Sequence, residues 1–118
     1  MKIITKEIAA RLPALYANEG KAAADVPVVL KLFNPCGAGT WYITEGELDA
    51  AGDHTQSTLF GLCCIHEAEL GYVNLGELLA VKLRFGLKIE RDLHWSGSLA
   101  DAYRREGLAV PDFTKEEA

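Results

Sequence analysis

The sequence predicts an α+β fold in a single domain: a small antiparallel sheet of three to five strands packed with two to three helices. Three observations predict it. Apolar residues recur at helical spacing early in the chain, at Ile8, Leu12, Leu15 and Tyr16, and again past its midpoint, at Leu75, Leu78, Leu79 and Leu83. Between these stripes lie runs of β-branched and aromatic residues broken by Asn, Pro and Gly. Strands joined by such short turns are antiparallel, so the runs read as a meander.

Each element has its own signal. Thr5 caps a first helix over 5–18, which Pro13 kinks or restarts by deleting a backbone donor. A strand follows over 27–33, after Pro27. Asn34-Pro35-Cys36-Gly37-Ala38-Gly39 is turn chemistry. Segment 40–45 is a second strand, with Trp41 and Ile43 on one face and Tyr42 and Thr44 on the other. Segment 58–66 is a third, and Gly71-Tyr72-Val73 adds a short fourth piece. Asn74 and Glu77 have capping-box spacing and open a helix over 74–84, stopped by Gly86. Leu87, Ile89 and Leu93 favour an extended segment, and Ser98 with Asp101 caps a last short helix through Arg105, closed by Gly107.

Composition bounds the function classes. A chain of 118 residues, 49% hydrophobic and 25% charged, has the makeup of one folded domain, placed at 1–110 with a loose acidic tail at 111–118. The longest uninterrupted apolar stretch, Leu59 to Ile65, is far short of the ~20 residues of a membrane helix. The opening Met1-Lys2-Ile3-Ile4-Thr5-Lys6-Glu7 lacks a signal-peptide core, so a cytoplasmic location is expected. Cys36, Cys63 and Cys64 are an odd set, and the adjacent pair points to opposite faces of a strand; all three are expected as reduced thiols. The net charge of −5 argues against nucleic acid as a direct ligand, leaving only the local basic clusters Lys82-Arg84-Lys88-Arg91 and Arg104-Arg105.

Five constellations invite a chemical or binding reading. Gly37-Ala38-Gly39-Thr40 suggests a phosphate cradle, but no Lys follows and the next run is a strand, so a hairpin loop is the plainer reading. Cys36 sits in that loop without any local nucleophile signature. Cys63, Cys64 and His66 beside Glu67 and Glu69 lack metal-ligand spacing, so no metal and no cofactor is expected. Glu67, Glu69, Glu90, Arg91, Asp92 and His94 are acid–base candidates or an ordinary ion-pair network. Trp41, Tyr42, Tyr72 and Trp95 are core aromatics or partner anchors.

Several motifs fall in a recognisable order. Leu32-Phe33-Asn34-Pro35 leads into Gly37-Ala38-Gly39-Thr40-Trp41-Tyr42 with Thr44-Glu45. Glu69-Leu70-Gly71-Tyr72 is followed by Leu75 and Glu77-Leu78, then by Phe85-Gly86-Leu87 and Ile89-Glu90-Arg91-Asp92-Leu93-His94-Trp95. With Thr5-Lys6-Glu7, Leu12-Pro13 and Leu15-Tyr16, this run from about Lys2 to Trp95 resembles the small bacterial proteins grouped as domain of unknown function 2958. The resemblance implies a plasmid or other mobile-element context and no settled activity.

The functional expectation is a non-catalytic protein-binding module, in one form an inhibitor of a host defence nuclease, whose partner is another protein. Its expected partner- or ligand-binding residues are Asn34, Thr40, Trp41, Glu69, Tyr72, Arg91, Asp92 and His94. The loop from Asn34 to Trp41 and the run from Glu90 to Trp95 supply the surface if they lie together. The alternatives are a small enzyme or ligand-binding domain with a polar pocket near Asn34, Thr40, Glu69 and Arg91, and a nucleic-acid accessory factor using Lys82, Arg84, Lys88 and Arg91.

Overall fold

Five antiparallel strands form one sheet in the computed structural model, which describes residues 2–50 and 54–114. The strands are β1 (Leu30–Phe33), β2 (Thr40–Glu47), β3 (Thr58–Cys64), β4 (Ala68–Asn74) and β5 (Glu90–Arg91), in the order β4-β3-β2-β1-β5. The first four make the expected meander. The fifth returns along β1, pairing Leu32 with Arg91 and Phe33 with Glu90.

The two faces bury different residues, as the period of two requires. Leu30, Leu32, Trp41, Ile43 and Leu59 face α1 (Lys6–Arg11) and α2 (Leu75–Ala80), which contribute Ile8, Leu75 and Leu78. Tyr42 and Leu62 face α3 (Leu99–Arg105), which contributes Leu99, Ala100, Ala102 and Tyr103. Each helix starts where its cap was legible. Thr5 Oγ1 accepts from Ile8 N, Asn74 Oδ1 from Glu77 N, and Ser98 with Asp101 forms a full capping box.

Several boundaries differ from expectation. The first helix covers 6–11 rather than 5–18, because Pro13 forces Leu12 into extended conformation (ψ 114°). Tyr16 therefore leaves the apolar stripe and lies exposed, in the left-handed region at φ 70°. The second helix stops at Ala80 rather than 84; Val81 and Leu83 cover the same core from an extended chain whose Leu83 N bonds Leu87 O. The ladder of segment 27–33 begins only at Leu30, since Val26 O and Val28 N bond Leu99 N and Gly97 O instead. Segment 58–66 ends its pairing at Cys64, and segment 40–45 extends to Glu47.

That longer β2 carries a bulge. Ile43 pairs with Gly61 and Glu45 with Phe60, leaving Thr44 as the extra residue. At the bulge the strands approach so closely that a Cβ on Gly61 would stand 2.8 Å from Ile43 Cα. Glycine is required there for contact, not for conformation.

Candidate functional site

The β1–β2 turn is built by Asn34. Its Oδ1 accepts from Cys36 N at 2.8 Å, its Nδ2 donates to Ala38 O at 3.2 Å, and Gly39 O receives Asn34 N at 2.9 Å. Gly39 has φ +132°, and a Cβ there would meet the Trp41 ring at 3.0 Å. The glycines thus serve a hairpin that leads into a strand, as the plainer reading expected.

Behind this turn, on the α3 side, the strands converge charged and aromatic groups. Lys31 interrupts the apolar run of β1 and is only 7% exposed. Its Nζ meets Asp92 Oδ2 at 3.1 Å and sits 5.3 Å and 5.2 Å from the ring centroids of Tyr42 and Trp95. Those rings meet edge to face at 5.2 Å. Trp95 Nε1 is buried with no hydrogen-bond partner among the described residues, so its ring face is what it offers. Tyr42 Oη donates to Glu106 Oε2 at 2.7 Å. An open cleft of about 440 Å³ is lined by Lys31, Thr40, Tyr42, Asp92, Arg105 and Glu106.

Three ionisable groups here, and Cys63 on the opposite face, are shifted from their ordinary values. Burial, then the Glu106 carboxylate, pushes the Cys64 thiol up to about 12. The same two causes raise the Tyr42 phenol. Burial and the Glu69 carboxylate raise Cys63. Burial opposes the charge of Asp92, but the His94 amide and the Lys31 ammonium outweigh it and hold the carboxyl below its ordinary value. At neutral pH both thiols and the phenol are neutral, and Asp92 is ionised beside Lys31.

The expected residues divide between two edges of the sheet. Asn34 and Thr40 in the turn lie with Arg91, Asp92 and His94 at the β5 end, so the loop from 34 and the run from 90 are indeed neighbours. Cys36 Sγ reaches Arg84 O at 3.9 Å, which adds the 84–86 turn to this end. Trp41 is buried in the α1/α2 core. Glu69 and Tyr72 lie on β4, the opposite edge. One register row runs Glu69, Cys63, Trp41, Leu32, Arg91. At ~4.8 Å per strand, Glu69 and Arg91 are about 19 Å apart, and the expected polar pocket of Asn34, Thr40, Glu69 and Arg91 is not assembled.

Four residues of consequence were not anticipated. Lys31 and Glu45 had a signal, a charge inside a strand run. Glu106 had none, since its meeting with Tyr42 spans 64 positions. Phe85 is the fourth: φ is 61° and the side chain is 93% exposed. Bulky residues rarely adopt this backbone region, and sequence does not reveal it.

Among the described residues no group of three or more His, Cys, Asp or Glu could hold a metal ion, and Cys36, Cys63 and Cys64 are free. No helix among them is long and apolar enough to cross a membrane. The family model for proteins of unknown function DUF2958 matches residues 3–103. The chain belongs to the DUF2958 family. The match spans the whole sheet, all three helices through Tyr103, and the β5 end. No curated protein and no solved structure matches the chain.

Proposed function

We propose that this DUF2958 chain is a non-catalytic protein-binding module that recognises its partner through the β5 end of the sheet. The observation that carries the reading is Phe85, a fully presented aromatic ring held in a left-handed backbone conformation. Such strain persists where surrounding structure enforces it, and it clusters at recognition sites. Leu87 and Leu93, 40% and 62% exposed, are further exposed apolar side chains of the same stretch of chain. The segment that presents Phe85 carries Lys82, Arg84, Lys88 and Arg91 against the carboxylates of Glu90 and Asp92, so cations outnumber acids along it. The complement is an apolar socket with an acidic rim, on another protein. Within this reading, the mobile-element context implied by the family makes a host defence nuclease the expected partner.

A second reading rests on the same residues. An exposed aromatic on a segment rich in cations also suits single-stranded nucleic acid. The test is capture from host lysate, with and without nuclease treatment, by the wild-type chain and by Phe85→Gly. A protein captured in both lysates by the wild type and lost with the variant supports the proposal. Capture that vanishes on nuclease treatment favours the second reading, and capture unchanged by the substitution rejects Phe85 as the anchor.

A further inference from the structure

The bulge in β2 has a consequence for Glu45. Strict alternation from Trp41 and Ile43 would send this carboxylate into the α1/α2 core. The extra residue Thr44 reverses the parity, so Glu45 pairs with Phe60, which pairs with Tyr72, on the α3 side. There it borders a cavity of about 310 Å³ that also includes Tyr16, Phe60, Leu70, Tyr72 and Phe113. This volume lies within the ~300–1,000 Å³ range of ligand pockets.

Glu45 is only 6% exposed, yet its one hydrogen bond among the described residues is from Tyr16 N to Oε1, at 2.8 Å. Its second oxygen is not among the buried atoms without a partner, so it stays open to the cavity and free to meet a donor or cation there. The walls are suited to that cation. Tyr16 and Tyr72 join their hydroxyls at 3.0 Å at the mouth, and the Phe60 and Tyr72 rings lie 5.0 Å apart. Aromatic faces attract ammonium groups, and apolar walls take the hydrocarbon that carries them. At the exposed rim Glu19 and Lys21 offset each other, so Glu45 sets the sign of the site.

We infer that this pocket binds a protonated amine on an apolar or aromatic body, with Glu45 as its counter-ion. The site is independent of the β5 end and of the proposal made for it. Two sources carry this chemistry, a free arylalkylamine and a lysine side chain of a partner.

The test titrates the full chain at pH 7 with phenethylammonium chloride, with Nα-acetyl-lysine amide and with the neutral isostere 2-phenylethanol, read by NMR shifts of the pocket residues. At least one amine is expected to bind about tenfold or more tighter than the alcohol. The tighter amine identifies the source. Glu45→Gln keeps an acceptor for Tyr16 N and removes the charge, and should weaken the amine by a similar factor. Equal binding of amine and alcohol by the wild type, or no shift with either amine at millimolar concentration, overturns the assignment. The wild-type comparison decides the question even if the variant does not fold.

Discussion

Replacing Phe85 by Gly should make the protein more stable, contrary to the usual effect of deleting an aromatic side chain. The ring is 93% exposed, so its removal forfeits almost no burial. The backbone at φ 61° costs an L-residue about 1–2 kcal/mol, which glycine does not incur. Glycine's greater freedom in the unfolded chain returns roughly 0.5–1 kcal/mol of that. The net gain is about 0.5–1 kcal/mol. For a chain of this length, 1 kcal/mol corresponds to roughly 4 °C in Tm. The assay is thermal and urea unfolding followed by circular dichroism, with both proteins at the same concentration. A loss of ~1 kcal/mol or more would refute the reasoning, because it would mean that the ring supports the fold. Higher stability combined with lost capture of the partner is the pattern of a residue kept for recognition.

Three further outcomes follow from the geometry. Gly61→Ala should cost about 2–3 kcal/mol, since the added methyl meets the backbone of Tyr42 and Ile43 and neither can step aside; the urea midpoint measures it. Asp92 has its pKa lowered from 3.8, so its contribution to stability is present above that pH and lost as the pH falls through the folded value. Urea midpoints from pH 7 to pH 2.5 should therefore fall more steeply below about pH 4 in the wild type than in Asp92→Asn, and identical acid limbs would contradict the Lys31 ion pair. Cys64, raised from 9.0 to about 12, should be alkylated about a thousandfold more slowly at pH 8 in the native protein than in urea; comparable rates would show the thiol to be unprotected.

Much of the fold was legible because its signals are local. The caps at Thr5, Asn74 and Ser98 and the alternation along 40–45 depend on neighbours within a few positions. Strand partners followed from turn chemistry between Asn34 and Gly39. Helix lengths were overestimated because the stripes at 8–16 and 75–83 continue past the helices. Pro13 ended the first, and Val81 and Leu83 reached the core without helical backbone. The site was less legible for a different reason. Lys31 with Asp92, Tyr42 with Glu106 and Tyr16 with Glu45 are pairings across the fold, and the bulge that turns Glu45 to the other face has no sequence mark beyond Gly61 opposite it. The positive φ of Phe85 is equally silent, because only its neighbour Gly86 advertises a turn.

The most direct test of the account is a hydrogen-exchange footprint of the full chain with its captured protein partner. Amides of residues 83–95 and of the 34–39 turn should slow on complex formation, while those of β4 and α1 should exchange as in the free chain. Protection confined to β4 or α1, with residues 83–95 unchanged, would contradict recognition through the β5 end.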